Sequence, residues 1–174
     1  MILNDQQLWS ECQLGMVSPF LSGNLQGSSV DLTLGTEIKV ESQAGDPILW
    51  NSKRMGAEGH FIRPGEFLLA HTAETVRIPD NYAAMLLLRS SAARAGFEHS
   101  FSGWCDPGFD GQLTLELRNN LQYRSLLIKP GMRICQLVVF RLTSPAHSSY
   151  GERGHYQHQK GATASCNSFN KEAL

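Results

Sequence analysis

The chain has 174 residues, of which 41% are hydrophobic and 18% charged, and its net charge is −1. That is enough for one domain with its own core, and too apolar for a disordered chain. The near-neutral balance excludes general steering toward nucleic acid or membrane, so any polyanion site must be local.

Cys12, Cys105, Cys135 and Cys166 show no CxxC spacing, which argues against a disulfide framework and against zinc held by cysteine pairs. No apolar stretch approaches the ~20 residues that span a bilayer, and the first residues lack a leader pattern. The expectation is a soluble, cytoplasmic protein.

In chain order, residues 4–14 read as a short helix, capped by Asn4 or Asp5 and ended by Gly15. Pro19, Gly23 and Gly27 then punctuate a loop. Val30, Leu32 and Leu34 alternate with polar residues, which predicts a strand with Asp31 on the opposite face. That carboxylate suits a structural polar network or a site role equally. The β pattern continues over 37–40, and 43–59 reads as a long loop or irregular hairpin around Pro47.

Strands are expected at 61–62, 67–70 and 74–78, with turns at Pro64-Gly65 and Pro79-Asp80-Asn81. The apolar run 83–88 is too short for an ordinary helix and reads as a buried strand leading to Arg89. Residues 90–95 have helical composition before Gly96, with a serine as the expected N-cap. Strands follow at 112–117, 126–129 and 133–142. From Ser144 the chain is polar and glycine-rich, and suits either a closing lid or an untethered end. The pattern as a whole predicts one all-β domain over 1–174, with short helices.

Chemistry concentrates between Arg89 and Glu116. Arg89, Ser90, Ser91 and Arg94 offer clustered donors for an anion, and the planar arginine fork suits phosphate. Asp106-Pro107-Gly108-Phe109-Asp110-Gly111 is a turn-rich loop. On the next strand Leu113, Leu115 and Leu117 share one face, and Glu116 points the other way. A carboxylate held rigidly there, near an anion site, suits a general base.

These stretches resemble, in order, the motifs of the dCTP deaminase branch of the dUTPase-like superfamily. The resemblance runs through Ser29–Gly35, Pro64–Ala70, Arg89–Gly96, Asp106–Gly111 with Leu115-Glu116, Pro130–Leu137, and a closing segment with Tyr156, Gln159, Gly161 and Ser165. It implies a distorted jelly-roll-like β-barrel and a homotrimer with sites between subunits. It also implies a C-terminal lid over about 145–174, and Mg²⁺ carried by the triphosphate rather than by protein side chains. Partners would be dCTP and dUTP, with no nucleic acid and no membrane. The implied reaction is hydrolysis of dCTP to dUTP and ammonia.

Carried onto this chain, Glu116 matches the catalytic glutamate that activates water. Ser90, Ser91 and Arg94 match contacts to the catalytic water, and together with Arg89 they match phosphate contacts. Asp106 would receive the 3′-hydroxyl, and Phe109 would pack on the sugar. Thr114 and Leu115 would read the base through the backbone, and Tyr150, His155 and Gln159 would hold the triphosphate or close the lid. Leu88 and His155 depart from the glycine and lysine usual at those places. The H-x-E and P-C-x-x-C pattern of zinc deaminases is absent, so no zinc is expected. The alternatives are a bifunctional deaminase that continues to dUMP and pyrophosphate, an ordinary dUTPase, and a non-catalytic nucleotide-binding homologue.

Overall fold

The computed structural model describes residues 1–42, 50–100 and 103–166. Helix α1, Asp5–Gln13, begins at a capping box: the Asn4 side chain accepts from the Gln7 N–H, and the Gln7 side chain accepts from the Asn4 N–H. Its buried face is Leu8 and Cys12.

The first long sheet strands are β2 (Val30–Thr33) and β3 (Glu37–Glu41), preceded by the short β1 (Val17–Ser18). β4 (Trp50–Arg54) pairs antiparallel with β3 throughout, residues 55–59 carry no strand, and 43–49 lie outside the described residues. β4 is an exposed edge whose sequence WNSKR has no apolar alternation, which is why only a loop or irregular hairpin is legible there.

β5 (His60–Ile62), β6 (Phe67–Arg77) and β7 (Tyr82–Leu88) follow. The sequence suggests two strands within 67–78, but β6 is one continuous strand of 11 residues. Its middle carries buried polar side chains, Thr72 and Glu74, which break the apolar signal. Both are satisfied. The Thr33 N–H and hydroxyl donate to the Glu74 carboxylate at 2.9 and 2.7 Å, and the Leu113 N–H donates to the Thr72 hydroxyl at 2.9 Å.

Next come α2 (Ser90–Ala95), β8 (Phe97–His99), β9 (Trp104–Cys105), β10 (Asp110–Asn119), β11 (Leu126–Ile128), β12 (Arg133–Arg141) and α3 (Tyr150–Arg153). One six-stranded sheet runs β4-β3-β6-β10-β8, with β1 beside β6. A four-stranded sheet runs β2-β12-β7-β9, and β11 pairs with β5. One core joins residues of both larger sheets, among them Leu32, Leu68, Leu115, Leu117, Leu137 and Val139. The fold is mainly β and jelly-roll-like, as expected, though the strands form separate sheets and do not close into a barrel.

Gly35 is fixed by close packing: an added Cβ would lie 2.1 Å from the His71 ring. That ring is held from both sides. Its Nδ1 donates to the Thr72 carbonyl at 2.8 Å, and its Nε2 accepts from the Glu37 N–H at 3.1 Å. Among the described residues no helix is long and apolar enough to cross a membrane.

Candidate active site

The Arg89 segment starts where β7 leaves the four-stranded sheet. Arg89, not a serine, is the N-cap of α2, and it makes no side-chain cap. Its guanidinium turns instead to Asp31, with Nε 3.2 Å from Oδ2. Arg133 Nη1 lies 3.6 Å from the same oxygen, and the Gln26 amide donates to it at 3.3 Å. Asp31 is 1% exposed, so its charge is compensated at a buried position and the network is structural first. Ser90, Ser91 and Arg94 are exposed on α2, which Gly96 ends in the left-handed conformation at φ 103°.

The Asp106–Gly111 loop leads into β10. Trp104 Nε1 donates to Asp106 Oδ1 at 3.1 Å. Gly108 has φ 85°, and its N–H donates to the Ile78 carbonyl at 2.7 Å. Phe109 is 5% exposed, and Tyr150 of α3 meets its ring edge-on with centroids 5.5 Å apart. Burial pushes the Tyr150 phenol above its ordinary value, which keeps it a neutral hydrogen-bonding group at physiological pH.

On β10 the period of two holds: Leu113, Leu115 and Leu117 are buried, while Gln112, Thr114 and Glu116 are half-buried. Glu116 is opposite Leu69 of β6. Its carbonyl accepts from the Ser100 N–H at 3.3 Å, just beyond β8. His99 of β8 pairs with Leu117, and its Nε2 is buried without a hydrogen-bond partner among the described residues. Burial pushes the His99 imidazole below its ordinary value, and the charge of Glu116 opposes that shift. The Leu115 side chain is fully buried, which leaves only its backbone for recognition.

The C-terminal segment is fastened in its described part, along the edge of β10. The His158 N–H donates to the Asp110 carbonyl at 2.7 Å, and the Gln112 N–H donates to the Gln159 carbonyl at 3.0 Å. Gln159 Nε2 donates to the Gln112 carbonyl at 2.7 Å, so its amide is engaged with the strand. The Gly161 N–H donates to Gln112 Oε1 at 2.7 Å, and the Thr163 N–H donates to the Thr114 hydroxyl at 3.2 Å. Residues 167–174 of the expected lid lie outside the described residues.

Just before this fastened stretch, a cavity of about 280 Å³ is lined by Asp106, Tyr150, Arg153, His155 and Tyr156, among others. Three residues expected from sequence therefore share one cavity: Asp106, Tyr150 and His155. Arg153 escaped sequence reading, because a lone arginine in a polar tail carries no pattern. The segment Arg89–Arg94 does not line this cavity. Among the described residues, no group of three or more His, Cys, Asp or Glu is placed to hold a metal ion.

A family model described as dCTP deaminase-like matches residues 2–142. The dCTP deaminase, dUMP-forming, of Persephonella marina is 40% identical over 176 residues, covering 95% of this chain and 96% of its own. The dCTP deaminase, dUMP-forming, of Streptomyces coelicolor is 39% identical over 181 residues, covering 95% and 94%. Among solved structures, 2′-deoxycytidine 5′-triphosphate deaminase from Agrobacterium tumefaciens superposes with a TM-score of 0.66 at 17% identity, over 79% of this chain. The match spans 47% of that structure's chain, and it bears on the fold alone. The relatives' names overturn the expectation of a deaminase that stops at dUTP: they are dUMP-forming, which agrees with the bifunctional alternative.

Proposed function

The chain belongs to the dCTP deaminase-like family, hydrolases acting on C–N bonds, and from that premise we propose that it converts dCTP with two waters to dUMP, ammonia and pyrophosphate. The observation that carries this reading is the identity with dUMP-forming relatives across nearly the whole chain. In the first step Glu116 takes a proton from a water that attacks C4 of the cytosine. The proton passes toward N3 and the leaving amine, and the C4–N bond breaks to give the uracil base. In the second step a further water attacks the α-phosphorus, and the bond to the pyrophosphate oxygen breaks.

Arg89, Ser90, Ser91 and Arg94 are assigned to the phosphates and the attacking water. The exposure of Ser90, Ser91 and Arg94 suits that role. Asp106 is assigned to the 3′-hydroxyl, Phe109 to the sugar, Thr114 and the Leu115 backbone to the base, and Tyr150, His155 and Gln159 to the triphosphate side. Asp106 also stands where the dUTPase class holds its base, so it is the candidate for activating the second water.

Mg²⁺ would arrive on the triphosphate, with phosphate oxygens and water as its ligands, and would neutralise charge on the leaving pyrophosphate. A homotrimer in which one copy completes another's site would bring a neighbour's Arg89 segment to the cavity beside Asp106. Analysis of all products formed from dCTP and Mg²⁺ tests the reading. Ammonia with dUMP supports it, and dUTP as the end product contradicts it.

A further inference from the structure

Gln157 is a part-buried residue to which the reaction above assigns no role. Its Oε1 accepts from the Asp110 N–H at 3.1 Å, and its Nε2 donates to the Gly108 carbonyl at 3.0 Å. The two contacts straddle Phe109. A primary amide carries a donor and an acceptor side by side, so one side chain satisfies both backbone groups, as a neighbouring strand would.

The remaining backbone groups of this turn are also tied. The Phe109 N–H donates to the Asp106 carbonyl at 3.2 Å, the Ile78 N–H donates to the Phe109 carbonyl at 2.8 Å, and the Asp110 carbonyl accepts from His158. The tail presses close here: an added Cβ on Gly108 would lie 1.8 Å from the Ser149 hydroxyl. The next residue, His158, holds φ 60° and is, among the described residues, the sole non-glycine in the left-handed region. Such a conformation persists where surrounding contacts impose it. Here the amides of Gln157 and Gln159 on either side of it both bind the 108–112 segment.

We infer that Gln157 is a positioning residue, whose amide clamps the Gly108–Asp110 backbone and so couples seating of the C-terminal segment to the sugar-side geometry set by Asp106 and Phe109. The inference rests on the sugar-side assignment of Asp106 and Phe109. It goes beyond that assignment in naming the group that transmits the state of the tail. The chemistry demands an amide. In Gln157→Glu the shape is kept, but the donor is lost and a carboxylate oxygen faces the Gly108 carbonyl.

The test compares the full-length protein with Gln157→Glu and with Gln157→Ala, which removes the clamp without adding charge should the first variant fold poorly. Hydrogen exchange at the Asp110 amide reads the clamp directly and needs no activity. The ratio of kcat/KM for dCTP over CTP reads its consequence. We expect faster exchange at Asp110 in Gln157→Ala, where the acceptor is removed, and a selectivity ratio lowered about tenfold in both variants. An active enzyme whose variants keep wild-type selectivity overturns the inference, as does unchanged exchange at Asp110 in Gln157→Ala. Wild-type protein that releases no ammonia from dCTP defeats the deaminase reading instead, and with it the sugar-side role, while the exchange result still decides the clamp.

Discussion

Nε of Arg89 lies 3.2 Å from Oδ2 of Asp31, a carboxylate only 1% exposed. One of the two arginines assigned to phosphate therefore has its Nε engaged by a buried carboxylate. Arg133 at 3.6 Å and Gln26 at 3.3 Å complete the shell. The arrangement fixes the start of α2 against β2 and β12. Asp31→Asn leaves Arg89 and Arg133 without their shared buried counter-charge, and we expect a loss of about 2 kcal/mol of stability, read by denaturant unfolding. An unchanged unfolding midpoint contradicts the structural role.

Arg94 differs from Arg89 in being exposed on α2. Its assigned partner is phosphate, so Arg94→Ala weakens dCTP binding by about tenfold or more and leaves deoxycytidine binding nearly unchanged. Calorimetry with both ligands checks this, and equal losses for both sink the phosphate role.

Glu116→Gln keeps shape and removes the base. Deamination falls by at least about a thousandfold, while dCTP binding is retained within a fewfold. Ammonia release near the wild-type rate contradicts the assignment.

His99 and His60 are both held below the ordinary imidazole value of 6.5, in each case first by burial. At His60 the charge of Lys53 adds to the effect. As pH falls, the unfolded chain takes up these protons before the folded one does. Stability therefore declines as pH drops below 6.5 toward the lower folded values. His99→Gln flattens that slope in unfolding midpoints measured from about pH 8 to about pH 5. An unaltered slope contradicts the prediction.

Cys12, Cys105 and Cys135 are buried, whereas Cys166 is exposed. Burial pushes the Cys12 thiol up to about 11 and the Cys105 thiol up to about 12, and raises Cys135 as well. Only thiolates react quickly, so iodoacetamide labels Cys166 first in the folded protein. Mass spectrometry showing early modification of Cys105 or Cys135 contradicts this.

Much of the fold was legible because it follows from period and punctuation. The alternation of Leu113, Leu115 and Leu117 against Thr114 and Glu116 locates β10 and its faces. Asn4 and Gly15 bound α1. Where the sequence misled, polar groups had taken core or edge positions: Thr72 and Glu74 inside β6, and the polar edge strand β4. Arg89, not a serine, caps α2, and its side chain answers to Asp31, a partner distant in the chain. The fastening of the tail was invisible for a related reason. It rests on backbone groups and the amides of Gln157 and Gln159, which leave no hydrophobic signature.

Deamination of dCTP and release of pyrophosphate are assigned to one enzyme. The most direct measurement follows ammonia, dUTP, dUMP and pyrophosphate together while the pure protein turns over dCTP with Mg²⁺. Ammonia, dUMP and pyrophosphate are expected to rise in equal amounts, with dUTP never accumulating. Ammonia accompanied by accumulating dUTP, or no ammonia at all, would contradict that assignment.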